Sequence, residues 1–325
     1  MNLNLSAFLQ WRFNIFMCRM IGWRITFFYI RMLGTLYFLF NPKEKWKIRK
    51  AVKTVFSDHK YRPEIRSISK KVFRGTFSHY FEKFFNAYST AGTLRNFVMN
   101  HMESEGLDAI KHGLAKGKGI LLITGHFGGV EFIPAFLGAN NFPVSIVAKF
   151  KSKDLRNASV QQASNFLTKI IDAEQTPNII RVIFDDLKAN RIVITQCDEI
   201  DEWKPSRYDK LFFLGKQVCL DKTINILSKR CAATVVFGVM HRYDNHRYKF
   251  IATSYEEIAK QYQRSIDMSV GAVVLKFMEH YIYKYPEGWY QWKKYPALDM
   301  FTTSGIEVEV TSSIPLLEPA MRKAA

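Results

Sequence analysis

Gly119-Ile-Leu-Leu-Ile-Thr-Gly-His126-Phe-Gly-Gly-Val-Glu131 reads as strand, turn and helix in succession. Its uninterrupted run of large aliphatic residues fits a strand buried on both faces, as in a parallel sheet, better than a half-solvated antiparallel one. Glycines at 125, 128 and 129 then permit a tight backbone path. Ligands of open α/β sheets bind beyond the carboxyl ends of the strands, and His126 falls at such an end. His126 and Glu131 are five residues apart, which on one continuous helix would separate them by about 140°. They meet only if His126 lies in the turn and Glu131 opens the helix, where the dipole favours a carboxylate. The expected geometry is thus a strand–loop–helix junction with Glu131 folded back onto the imidazole. A neutral ring backed by a carboxylate at one nitrogen can take a proton from a hydroxyl with the other.

Outward from this stretch the same alternation continues. Strands are expected at 143–148, 191–196, 233–240 and 248–253, with helices at 131–137, 155–171 and 221–229. A further helix takes Thr176 as its cap and Pro177 at its first position, with Asn190 just past its end. A long helix from about Tyr255 stops near Tyr285, because Pro286 cannot continue it. Apolar strands separated by helices give an α/β fold with a mostly parallel sheet flanked by helices. Upstream, residues 44–101 read as helical. There Phe73, Phe77, Phe81, Phe84, Phe85 and Tyr88 recur at spacings of three and four, an aromatic stripe suited to a core.

The chain has 325 residues, 48% of them hydrophobic and 23% charged, as in a globular protein with a substantial core. Its 47 Lys and Arg against 29 Asp and Glu leave a net charge of +18, a field that draws acidic partners. Cys18, Cys197, Cys219 and Cys231 show no paired spacing and read as reduced thiols. From Ala7 to Phe40 the sequence is apolar and aromatic, yet Arg12, Arg19, Arg24 and Arg31 interrupt it. The uncharged stretch from Met32 to Pro42 is well short of the roughly 20 residues that span a bilayer. A helix lying in the membrane interface, followed by Lys43, Lys45, Lys47, Arg49 and Lys50 at the headgroups, fits better. The organisation expected is a membrane-associated helix over 1–42, a catalytic α/β domain over 43–303 and a peripheral tail over 304–325.

Competing chemistries lack their residues. There is no G-x-S-x-G elbow, no Walker A run and no G-x-G-x-x-G, and Lys116-Gly-Lys-Gly119 reads as the turn before a strand. His241 and His246 lack metal-ligand spacing, so no metal is expected. A non-enzymatic basic protein binding nucleic acid or membranes would use the charge alone. No nucleic-acid module is recognisable, and nucleic acid is not an expected partner.

The Gly125-His-Phe-Gly-Gly-Val-Glu131 turn after a strand resembles the H-x-x-x-x-(E/D) motif of the lipid A biosynthesis (late) acyltransferases, relatives of the glycerolipid acyltransferases. The resemblance extends to the N-terminal apolar-basic segment, Cys197-Asp-Glu199, Phe212-Phe-Leu-Gly215 and Tyr285-Pro-Glu-Gly-Trp-Tyr-Gln-Trp-Lys-Lys294. It implies His126 as general base, Glu131 as its orienting partner and Asp198 as a further active-site residue. It also suggests Lys149, where the family commonly has Arg, as a substrate-facing cation. Lys169 is the nearest cation to a second family arginine, and Gly128 and Gly129 complete the expected substrate-binding set. The turn departs from the family in having Gly129-Val130 where Asn-Trp is common, and Glu199 follows Asp198 in place of Gln or His.

The resemblance further implies acyl transfer from an acyl carrier protein or coenzyme A thioester, a substrate rather than a cofactor, to an anionic glycolipid hydroxyl of lipid A type. An aminolipid or lysophospholipid is the alternative acceptor. The expected location is the cytoplasmic face of the bacterial inner membrane.

Overall fold

The computed structural model describes residues 12–20, 22–57, 64–150, 152–243, 246–262 and 268–302. An N-terminal helical layer comes first: α1 (Arg12–Met20), α2 (Gly22–Phe40), α3 (Pro42–Val55), α4 (Ile65–Tyr88) and α5 (Ala91–His101). The α/β part follows with β1 (Met102–Glu105), α6 (Leu107–Ala115), β2 (Ile120–Thr124), α7 (Ile133–Ala139), β3 (Val144–Ala148) and α8 (Lys153–Ser164). It continues through β4 (Thr168–Asp172), α9 (Ile179–Lys188), β5 (Ile192–Gln196), β6 (Pro205–Phe213), β7 (Lys216–Asp221) and α10 (Thr223–Cys231). The last elements are β8 (Thr234–Arg242), β9 (Tyr248–Ser254), α11 (Tyr255–Tyr262) and α12 (Val270–Lys284), with 3₁₀ turns at Pro286–Gly288 and Gln291–Phe301.

A seven-stranded sheet runs in the order β1-β9-β8-β2-β5-β3-β4. All its pairings are parallel except β8 with β9. The expected mostly parallel α/β fold is therefore present. β2 lies mid-sheet between β8 and β5, and Ile120, Leu121, Leu122 and Ile123 are fully buried. Burying each side chain of this kind is worth roughly 1.5–3 kcal/mol. The strand that aims His126 is accordingly among the most firmly held parts of the molecule.

Several local readings change. The helix expected over 155–171 ends at Ser164, and β4 begins at Thr168 after Leu167 takes a left-handed φ of 52°. Its short alternating sequence gives little periodicity to separate an edge strand from the end of a helix. Asn178 rather than Thr176 caps α9, its side chain accepting from the Arg181 N–H at 3.1 Å. Among the described residues the long helix expected over 255–285 is two, with Ser269 capping the second by accepting from the Ala272 N–H. Among the described residues the N-terminal segment is likewise two helices, the second opening at Gly22 with φ 72°. The β6–β7 hairpin, closed by Leu214 and Gly215 at positive φ, has no counterpart in the expected strands.

Among the described residues no helix is long and apolar enough to cross a membrane. The 304–325 tail lies outside the described residues.

Candidate active site

β2 and β5 pair in parallel with Thr124 opposite Gln196. The register continues past both strands, since the Cys197 N–H donates to the Thr124 carbonyl at 2.8 Å. This sets Asp198 beside His126. The His126 backbone N–H donates to both Asp198 oxygens, at 2.9 and 3.0 Å, and its ring Nδ1 lies 2.9 Å from Oδ1. The Trp289 indole N–H donates to Oδ2 at 2.7 Å. Asp198 is fully buried, so these donors replace the water that its charge has lost. Because the carboxylate can only accept here, the network assigns the proton to Nδ1.

The other ring nitrogen, Nε2, is 3.0 Å from Glu199 Oε2. Glu199 also binds Lys294 Nζ at 3.0 Å, and Lys294 pairs with Asp201 at 2.6 Å. Burial by itself would lower the His126 pKa, but the Asp198 charge and hydrogen bond, with those of Glu199, raise it to about 9. Burial conversely pushes Glu199 up, and His126 and Lys294 outweigh it, holding that carboxyl down at about 2. Imidazolium and carboxylate thus stabilise one another at the mouth of the site.

The expected fold-back of Glu131 onto His126 is not what the geometry gives. Glu131 lies in a 3₁₀ turn (Val130–Phe132), and its carboxylate is 3.9 Å from Lys83 Nζ. The strand register delivers Asp198 to Nδ1, whereas Glu131 sits beyond a turn that leads the chain away. Lys149 pairs with Glu202 at 3.3 Å, and both side chains are exposed. Lys169 does not join the cluster. It pairs with Asp186 at 2.6 Å and lies in register with Ser145, hence with Val193 and Leu121. That level is five residues before His126, roughly 16 Å along the strand.

Gly128 and Gly129 serve packing. Gly128 has φ 57°, and a Cβ there would lie 1.9 Å from the Met240 carbonyl oxygen. A Cβ on Gly129 would meet the Tyr248 ring at 2.8 Å. Their N–H groups donate to the carbonyls of Gly288 and Met240, both at 2.8 Å.

Residues 3–294 match the family described as bacterial lipid A biosynthesis acyltransferase. The chain belongs to this family. No curated protein matches the sequence. Every residue of the cluster from His126 to Lys294 lies within the matched segment.

The acyltransferase holds its histidine turn with groups that the sequence reading left unassigned. Arg242, at the end of β8, donates through Nη2 to the Gly128 carbonyl at 2.9 Å and to Glu82 at 2.8 Å. Tyr248 donates its hydroxyl to Glu82 at 3.0 Å, and Glu82 is fully buried. This charged set ties α4, β8 and β9 to the turn. Tyr290 stands edge-on to the His126 ring, 5.3 Å between centroids, and stacks on His79 at 3.5 Å.

His79 is buried and its Nδ1 has no hydrogen-bond partner. Burial, then the nearby Lys83 and His126 charges, keeps its pKa well below the usual histidine range. Glu199 and Lys294 carried a signal in their neighbourhood, one adjoining Asp198 and the other ending the Tyr285–Lys294 block. Glu82, Arg242 and His79 carried none, because only tertiary packing brings them near. Among the described residues no group of three or more His, Cys, Asp or Glu is disposed to hold a metal ion.

Proposed function

We propose that this acyltransferase moves a fatty acyl group from an acyl carrier protein or coenzyme A thioester to a hydroxyl of a lipid A precursor or a related glycolipid, with His126 as general base. The observation that carries the reading is His126 at the carboxyl end of the central strand, Nδ1 fixed on the buried Asp198 and Nε2 turned to the mouth of the site. The ring first releases its Nε2 proton to solvent; the incoming hydroxyl then takes the place of Glu199 at Nε2, and the neutral imidazole accepts its proton as the oxygen attacks the thioester carbonyl. The tetrahedral intermediate collapses with breakage of the carbon–sulfur bond, and the departing thiolate takes the proton back from Nε2. A thiolate leaves readily, so a positioned base and a cation near the developing oxyanion suffice. Lys294, paired with the Glu199 carboxylate that meets Nε2, is the cation at this mouth. Asp198 orients the ring, and Glu131 pairs with Lys83.

The reaction sits at a membrane surface in this reading, on the cytoplasmic face of the inner membrane. Its support is an outward apolar face: Phe13, Phe16 and Met20 on α1, and Ile25, Phe28, Met32, Leu36 and Phe40 on α2, are all exposed. Their three- and four-residue spacing makes one stripe along each helix, as in helices that lie in the headgroup region.

The test is direct. Purified wild type and His126→Ala are incubated with acyl carrier protein and coenzyme A thioesters plus a bacterial lipid extract, and the products are weighed by mass spectrometry. A glycolipid gaining one acyl chain in the wild type alone supports the reading. Near-normal transfer by His126→Ala overturns it.

A further inference from the structure

On the other side of α4 from His79 lies a groove of about 740 Å³ between α2, α3 and α4. His79 and Phe77 are two residues apart on α4, about 200° around the helix, so the groove and the His126 cluster use opposite faces. Its size is within the range of small-ligand sites. Lys45, Arg49 and Lys53 line it from α3, and Arg66, Lys70 and Arg74 from α4. No acidic residue is among its lining, and among the described residues none of these six cations forms an ion pair. Elsewhere the same helices do pair their charges, as in Lys83 with Glu131 and Glu44 with Lys293. Unneutralised like charges facing one another across a groove destabilise the empty state, and an anion relieves that repulsion.

The floor is of the opposite character. Phe38, Phe73 and Phe77 form it, and the Arg49 guanidinium stands 5.9 Å above the Phe73 ring. Phe38 is buried among aromatics, with Phe73 at 5.3 Å and Phe77 at 5.7 Å between ring centroids. Leu39 lines the groove and is 64% exposed, which joins the floor to the outward apolar stripe of α2.

We propose that this groove binds one anionic phospholipid of the bilayer, its phosphate among Arg66, Lys70 and Arg74 and an acyl chain over Phe73 and Phe77. A flat acidic protein surface would satisfy the cations but leave the aromatic floor unused. A phosphate-bearing amphiphile satisfies both. The continuity with the α2 stripe lets its chain run from the groove into the membrane. The proposal rests on the membrane-surface reading given above but fails separately from it. The α2 stripe governs partition onto any bilayer, whereas the groove governs the preference for anionic ones.

The experiment compares sedimentation of the full chain with phosphatidylcholine vesicles and with vesicles that also contain phosphatidylglycerol. Each basic side chain near an anionic surface strengthens binding several-fold, so the triple variant Arg66→Gln/Lys70→Gln/Arg74→Gln should lose about 10²-fold in its preference for phosphatidylglycerol. The control Lys116→Gln/Lys188→Gln/Lys229→Gln makes the same change in net charge at exposed sites elsewhere and should lose only a few-fold, because the field falls off within a Debye length. Equal losses in the two variants overturn the proposal. So does loss of carrier-protein binding in the triple variant with vesicle preference intact, which would assign the groove to a protein. Weak binding of the wild type to both kinds of vesicle would instead count against the membrane-surface reading.

A second measurement needs no variant. Phosphatidylglycerol with a photoreactive group in its acyl chain should label the α4 peptide that holds Phe73 and Phe77. Labelling spread over the α2 stripe with none on α4 overturns the groove.

Discussion

Asp198→Asn is the sharpest test of how the site is held. The fully buried carboxylate accepts from the His126 backbone, the His126 ring and the buried Trp289 indole. An asparagine of the same shape has a single acceptor oxygen. With that oxygen towards His126, the amide N–H₂ opposes the Trp289 N–H, and a buried donor goes unsatisfied at a cost of about 1–3 kcal/mol. With the amide turned the other way it donates to Nδ1, which drives the proton to Nε2 and removes the base. A buried Asp-to-Asn change behind a catalytic histidine slows turnover on the order of 10⁴-fold by that tautomer exchange, about 5 kcal/mol in the barrier.

Turnover in this variant should therefore drop by roughly a thousand-fold or more, the scale set by that tautomer exchange. Acyl transfer is followed by thiol release under saturating donor, with a melting temperature only a few degrees lower. NMR titration of ring-labelled His126 should show its pKa falling with the loss of the Asp198 charge. A variant that turns over within a few-fold of wild type and leaves the His126 titration unchanged would refute the assignment.

Glu131→Gln separates the motif-based partner from the one in the structure, and its loss in kcat should be much smaller than that of Asp198→Asn. A loss as large, in the same thiol-release assay, would restore the fold-back onto the ring. Activity should follow the deprotonation of His126, so kcat/KM rises with pH towards about 9 and the limb moves to lower pH in Glu199→Gln. Stability has the opposite sense. The raised pKa contributes stability in full below pH about 6.5, and that contribution is lost as pH rises through about 9. Denaturant melts of wild type and His126→Gln over this window should therefore converge.

Glu82→Gln leaves the buried Arg242 charge uncompensated and should reduce stability by about 3–5 kcal/mol in urea titrations, whereas Glu82→Leu/Arg242→Met should recover much of it. Gly128→Ala adds a Cβ into the Met240 carbonyl at positive φ and should cost more than about 2 kcal/mol, with loss of soluble, active protein on expression trials.

Much of the frame is local, and so was legible. Ile120–Ile123 without alternation determine a doubly buried strand, because apolar side chains on both faces of a pleat need cover on both faces. The glycines that follow determine a sharp turn, since Gly128 takes a φ that a side chain would oppose. Hence the sequence alone placed His126 at the end of a sheet strand. It could not say which carboxylate meets the ring. A spacing of five made Glu131 the natural partner, yet the register of β2 against β5 brings in Asp198, whose number differs from that of His126 by 72.

Strand register is fixed by hydrogen bonding and burial across the whole sheet, and no window of sequence contains it. The same limit explains Trp289, Glu82 and Arg242, which converge on the turn from three other elements. It explains the groove as well: the Phe73 and Phe77 stripe announced an apolar face, but only the packing of α2 and α3 decided that this part of it stays open beneath unpaired cations.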